Sequence, residues 1–198
     1  MGKRYTDRAM NILHRRYCRS DGWRQAVHHG MMPWVLGEVE LGPNVLEIGP
    51  GPGVTTDWLR ERVPSLTCIE IDRKLAESLK ARLDGTNVSV IEGDATAMEF
   101  RDGSFETAMC LTMLHHVPSR ALQDRLLAEA HRVLKPGGLF VGSDSTTSFR
   151  FRLFHAFDTC VPVDPDGFPA RLEAAGFGEV EINKRPEYHT FKFRARKV

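Results

Sequence analysis

Cysteine is scarce in this 198-residue chain, and what there is forms no pattern. Cys18, Cys68, Cys110 and Cys160 lie far apart, with no Cys-x-x-Cys pair and no matching histidine spacing. Neither a disulfide framework nor a zinc site is therefore expected, and no metal. Cys68 and Cys110 sit inside apolar runs and read as buried small hydrophobes. No apolar run approaches the ~20 residues of a membrane span. The N-terminus also lacks the apolar core of a signal peptide, so the expected home is the cytoplasm. Charge of one sign is missing too: 27 basic side chains face 26 acidic ones, for a formal net charge of +1. That balance points to neither a nucleic-acid nor a membrane partner. Two local basic stretches, Lys3-Arg4 with Arg15-Arg16 and the tail from Lys184 to Lys197, read as solvated faces. No internal repeat or low-complexity segment is visible.

What is present suits one globular domain. Hydrophobic residues make up 41% and charged residues 27%, enough for a proper core at this length. From Val45 onward, short apolar runs alternate with helical stretches. Val45–Ile48, Leu66–Ile71, Val88–Ile91, Phe105–Leu111 and Leu139–Val141 read as strands. Leu75, Leu79 and Leu83 repeat at helical spacing, as do Leu122, Leu126 and Ala130, continuing to Val133 and Leu134. Lys135-Pro136-Gly137-Gly138 reads as a stop and a turn. This alternation predicts right-handed crossovers and a mostly parallel sheet covered on both faces, an α/β doubly wound fold. Residues 1–40 read as a helical cap, broken near Asp21-Gly22 and Pro33. Phe168–Ala175 reads as a helix, and Val180–Asn183 and Thr190–Arg196 as two further strands. In the last of these, Phe191, Phe193 and Ala195 alternate with polar residues, the pattern of an antiparallel strand buried on one side. Residues 45–143 are then the cofactor-binding core, 144–165 an aromatic cap or insertion, and 166–198 the C-terminal helix and strands.

Ligands of open parallel sheets bind beyond the carboxyl ends of the strands. The first strand runs into Gly49-Pro50-Gly51-Pro52-Gly53, a turn whose glycines permit close approach of a ligand, with a helix expected just beyond. Glu47 puts a negative charge beside that turn, which repels a pyrophosphate and attracts an ammonium or sulfonium. The second strand ends in Glu70, Ile71 and Asp72, and Glu70 lies 21 residues beyond Gly49. That is close to the ~20-residue offset of acids that take ribose hydroxyls. Asp72 suits a helix N-cap. The third strand ends at Glu92-Gly93-Asp94-Ala95, and the fourth at Leu111-Thr112, followed by Met113-Leu114-His115-His116.

These segments, taken in order, resemble the class I S-adenosylmethionine-dependent methyltransferases, a Rossmann-like superfamily. The likeness runs from Val45 to Gly138. The family's glycine-rich motif matches Leu46 to Gly53, which implies cofactor-binding roles for Glu47, Gly49, Pro50, Gly51 and Gly53. Its ribose-binding acid falls on Glu70, with Ile71 against the adenine. Its adenine-amine contact falls on Asp94, with Ala95 beside it, and Leu111 ends the fourth strand near the methionine end. His131 to Gly138 resembles the family's leucine-lysine-proline-glycine-glycine segment. The resemblance implies a seven-stranded sheet with an antiparallel C-terminal strand, S-adenosyl-L-methionine as cofactor, and methyl transfer as the reaction.

The acceptor lies outside the shared motifs. Tyr17, Trp23 and Trp34 in the N-terminal cap, and Phe149, Phe151, Phe154 and Phe157 in the later segment, lead to the expectation of a small, partly apolar acceptor. The Asn/Asp-Pro-Pro-Tyr/Phe motif of base-amine methylases is replaced here by Leu111-Thr112-Met113-Leu114, so nucleic acid is not expected as a partner. The stretch from Glu70 and Asp72 through Arg73-Lys74-Leu75-Ala76-Glu77 nevertheless resembles rRNA adenine dimethylases. If a base is needed, His115 and His116 are nearest by position, with His28, His29 and His155 as further candidates. One rival reading is a nicotinamide-dependent oxidoreductase, but its Gly-x-Gly-x-x-Gly fingerprint meets Val54 in one register and Thr56 in the other. The other rival is a non-catalytic scaffold that binds the same cofactor.

Overall fold

The computed structural model describes residues 12–156 and 158–198. Lys3, Arg4 and Phe157 lie outside the described residues, as does the start of the N-terminal cap. In order, the elements are α1 (Ile12–Tyr17), α2 (Asp21–Ala26), α3 (Met32–Leu36), β1 (Asn44–Ile48), α4 (Val54–Leu59), β2 (Ser65–Glu70), α5 (Arg73–Arg82), β3 (Val88–Glu92), β4 (Phe105–Leu111), α6 (Arg120–Val133), β5 (Leu134–Ser145), α7 (Phe149–Phe154), α8 (Phe168–Ala174), β6 (Phe177–Arg185) and β7 (Thr190–Lys197). A π-helical turn, Val27–Met31, joins α2 to α3.

The strands form one seven-stranded sheet in the order β3-β2-β1-β4-β5-β7-β6. β1 to β5 pair in parallel, and β7 runs antiparallel to both β5 and β6. This is the α/β sheet with an antiparallel C-terminal strand that the sequence predicts. β1 and β4 are buried almost throughout, as strands covered on both faces must be. Their alternate residues feed two apolar clusters: Leu46, Ile48, Ala108 and Cys110 on one face, Val45, Met109 and Leu111 on the other. Phe140, Phe168, Phe191 and Phe193 are fully buried on the first face, each worth roughly 1.5–3 kcal/mol of transfer free energy. On β7, Phe191, Phe193 and Ala195 turn inward as read from the sequence.

Three boundaries refine the sequence reading. The cap is broken at residues 18–20, just before Asp21-Gly22, and Asp21 opens α2, because the Ser20 hydroxyl accepts the Trp23 N–H and caps the helix there. Pro33 lies in the first turn of α3, where its missing N–H costs little. Lys135–Gly138, read as a turn before the fifth strand, instead belongs to β5. Leu134 already pairs with Phe105, Leu139 with Thr107, and the residues between bulge out of the ladder.

The basic tail is heavily paired. Lys184 meets Asp166, Arg194 meets Glu181, and Arg196 meets Glu179. Lys197 donates to the carbonyls of Arg132 and Leu134 at the end of α6. Among the described residues, no helix is long and apolar enough to cross a membrane.

Candidate functional site

A cavity of about 330 Å³ opens at the carboxyl ends of β1, β2 and β4, within the size range of small-molecule sites. Gly49, Pro50, Gly51, Glu70, Ile71, Ala95 and Leu111 line it. So do His14, Tyr17, Cys18, Trp23, His115, His116, Phe151 and His155. The strand-end residues picked from sequence therefore meet the aromatic cap residues Tyr17, Trp23 and Phe151 across one space. Trp34 does not join them; it packs under Arg185, 4.4 Å from its ring, and accepts a bond from Lys192 at its carbonyl. Phe149 is exposed.

The glycine turn has two reasons for its composition. Gly49 has φ +68°, and a Cβ there would sit 2.4 Å from Met113 Cγ. Gly51 has φ +55° and nothing within 4 Å of its missing Cβ, so it opens the turn toward the cavity. A cofactor could lie against this bare backbone. Gly53 caps α4 and lies outside the lining residues.

Glu70 is the hinge of the cofactor side. It is buried, and its two oxygens accept the backbone N–H groups of Gly51 and Asp72, both at 2.9 Å. Asp72 in turn caps α5 by accepting from Lys74 and Leu75. Burial pushes the Glu70 carboxyl above its usual range, and the backbone N–H groups of Asp72, Gly51 and Ile71 oppose that rise. A carboxylate offers about four acceptor positions, more than these backbone bonds use.

Glu47 and Asp94 are placed differently from the sequence expectation. Glu47 is buried beneath the turn and lies outside the lining of the cavity. It accepts from the Thr55 hydroxyl, from Thr56 Oγ1 at 2.6 Å and from Cys68 Sγ at 3.4 Å. Desolvation raises its pKa, and these donors pull it back in part. Asp94 also stands outside the lining, with Oδ1 accepting the Thr96 N–H at 2.8 Å, while Gly93, Ala95 and Thr96 reach the cavity.

The cavity wall also holds a histidine cluster. His115 Nδ1 bonds Asp144 Oδ1 at 2.5 Å, and the His115 N–H donates to Asp144 Oδ2 at 3.0 Å. His115 Nε2 lies 3.2 Å from His155 Nε2. His116 Nδ1 faces the Thr159 carbonyl at 3.0 Å, His155 Nδ1 the Phe151 carbonyl at 2.8 Å, and His14 Nδ1 the Asp158 carboxylate at 2.9 Å. Burial lowers the pKa of His14, His155 and, most strongly, His116, so these rings are neutral near pH 7. His28 and His29 do not join: His28 Nε2 contacts the Val54 carbonyl at 3.0 Å, and His29 is exposed. Just before the cluster, Thr112 holds φ +49°, a left-handed conformation that a β-branched residue adopts only under constraint.

Sequence reasoning missed His14, Asp144 and Asp158. Asp144 was within reach of the strand-end rule, since it lies near the carboxyl end of β5. His14 and Asp158 carried no signal, because their partners are remote in sequence. The expectation of no metal rested on spacing, which could not show that His14, His116 and His155 converge.

A profile for a methyltransferase domain matches residues 46–142. Among solved structures, a protein from Pyrococcus horikoshii aligns with TM-score 0.77 at 16% identity, covering 91% of this chain and 93% of its own. Phosphoethanolamine N-methyltransferase 2 of Haemonchus contortus, solved with S-adenosyl-L-methionine, aligns with TM-score 0.72 at 16% identity, covering 88% of this chain and 52% of its own. In sequence, the ribosomal RNA small subunit methyltransferase A of Cupriavidus metallidurans is 41% identical over 76 residues, 37% of this chain. The chain spans 27% of that relative's length. The domain match removes the nicotinamide alternative.

The same relatives correct one expectation. A small-molecule acceptor with no nucleic-acid partner was expected, yet the curated relatives are ribosomal RNA methyltransferases. The exclusion rested on a missing motif after β4 and on a net charge near zero. The first concerns one way of holding a base amine, and the second averages over the whole surface; neither tests whether an RNA docks.

Proposed function

We propose how a chain that belongs to the class I S-adenosylmethionine-dependent methyltransferases, with S-adenosylmethionine as its methyl donor, uses these residues. Gly49, Pro50 and Gly51 face the methionine end of the cofactor. Glu70 takes the ribose hydroxyls on its remaining acceptor positions, and Ile71, Ala95 and Leu111 pack against the rest. Glu47 acts from beneath, holding Thr55 and Thr56 at the start of α4; Gly53 shapes the same turn; Asp94 shapes the turn that presents Ala95. When bound, the cofactor supplies a methyl group on a sulfonium, a good leaving group, so the residues around it contribute mainly position.

The acceptor enters on the histidine side. His115 Nε2 would take the N–H or O–H proton that the acceptor gives up when it receives the methyl group from the sulfonium, which leaves as a neutral thioether. Asp144 holds the ring in the orientation this requires. His116, tied to Thr159, is a wall of the chamber in this reading. The observation that carries the proposal is that Glu70 and His115 line one cavity. An RNA as acceptor is favoured by one separate observation, the ribosomal RNA methyltransferases among the sequence relatives.

The test is transfer from methyl-labelled S-adenosylmethionine into ribosomal RNA and into a low-mass cell extract, with mass spectrometry of the labelled product. Label in RNA supports the RNA reading, and label only in the low-mass fraction removes it. Binding of S-adenosylhomocysteine without transfer to either fraction would return the chain to a scaffold role. Transfer undiminished by His115→Ala would remove the base assignment.

A further inference from the structure

We propose that His14, His116 and His155 bind a divalent transition-metal cation of the zinc class at the histidine wall of the cavity. One ring nitrogen of each lies within 4.8 Å of the others. The three come from α1, from the turn after β4 and from the residue following α7, so the fold and not a local motif assembles them.

Their hydrogen bonds point the same way. In all three, Nδ1 faces an oxygen that can only accept: the Asp158 carboxylate, the Thr159 carbonyl and the Phe151 carbonyl. In a neutral ring that contact puts the proton on Nδ1 and the lone pair on Nε2. Carboxylates and carbonyls in this outer position are the usual supports of metal-binding imidazoles, because they fix the tautomer and the ring plane. Three nitrogen donors suit zinc and its borderline neighbours better than calcium or magnesium, which prefer oxygen.

Crowding is the second observation. The rings of His14 and His116 stand 5.1 Å apart, those of His14 and His155 4.8 Å, and those of His116 and His155 5.4 Å. Nitrogens on one tetrahedral zinc sit about 3.4 Å apart, from bonds of ~2.1 Å, so binding contracts the cluster by at most about 1.4 Å. His115 Nε2, 3.2 Å from His155 Nε2, borders the site and would bond a water or acceptor atom held by the cation. The site does not rest on the methyl-transfer reading, because binding is measurable without turnover.

The experiment strips the full chain with a chelator and titrates it calorimetrically with zinc, then with cobalt while following the visible absorption of the bound ion. One cation per chain is expected, with nitrogen-type cobalt bands and a higher melting temperature. His14→Ala, His116→Ala and His155→Ala should each weaken zinc at least ~10-fold, about 1.4 kcal/mol. His28→Ala should bind as the parent does. Circular dichroism checks that each variant folds, and His155→Gln replaces any that does not. No stoichiometric binding by the parent, or binding that survives all three substitutions, would overturn the site and leave a dry cluster of hydrogen-bonded rings.

Discussion

Asp144 holds His115 at two points, accepting the ring Nδ1–H at 2.5 Å on one oxygen and the backbone N–H at 3.0 Å on the other. The pair joins the carboxyl ends of β4 and β5 and is almost completely buried. Asp144→Asn keeps the shape but offers an amide where the ring needs an acceptor. The rate of methyl transfer should fall by roughly 10²-fold or more. Affinity for S-adenosylhomocysteine should stay within about twofold, because Asp144 lies outside the cofactor wall. A parallel loss of affinity would mean that Asp144 supports the whole pocket and not one ring.

Glu70→Gln tests the cofactor side. The amide can still accept from one backbone N–H but presents an NH₂ group to the other and to a ribose hydroxyl. Calorimetry should show S-adenosylhomocysteine binding at least ~10-fold weaker, about 1.4 kcal/mol. Unchanged affinity would remove Glu70 from the ribose. The melting temperature should also drop, since Glu70 ties Gly51 to Asp72.

Glu47 gives a prediction in pH. Burial raises its pKa in the folded chain above the unfolded value of about 4.3. Its stabilising contribution is complete below that unfolded value and is lost as pH rises through the folded one. Glu47→Gln has no such proton to lose. Urea melts between pH 4 and pH 8 should therefore show the parent losing stability relative to the variant as pH rises. A difference that is flat, or that grows in the parent's favour, would contradict the direction of the shift.

Gly49 and Gly51, the two lining glycines of the turn, should respond differently to one added methyl group. Gly49→Ala drives a Cβ against Met113 on top of a left-handed φ, so stability and cofactor binding should both fall. Gly51→Ala meets no atom within 4 Å and carries only the backbone strain, roughly 1 kcal/mol. Its effect should appear mainly in cofactor affinity, because the methyl points into open space. Denaturation midpoints and S-adenosylhomocysteine titrations of the two variants separate these outcomes.

The sheet was legible because its signals are local. Alternation along β7, continuous apolar runs in β1 and β4, and Asp72 placed to cap α5 all act within a few residues. The bulge inside β5 was not legible, because Lys135-Pro136-Gly137-Gly138 has the composition of a turn and only pairing with β4 absorbs it into the strand. Glu47 shows the same limit at the site. Its charge beside the glycine turn was visible, but which side of the strand it faces is settled by packing against Thr55, Thr56 and Cys68.

The succession of strands and helices along the chain, the glycine turn and the acid at the end of β2 were thus written into the sequence itself, since each depends on backbone geometry and on neighbours close in the chain. The histidine wall was decided only by the tertiary structure. His14, His115, His116 and His155, with Asp144 and Asp158, come from separate segments, and no periodicity links residues so far apart. Burying the ends of the sheet under the cap brings them together, and that same burial holds His14, His116 and His155 neutral.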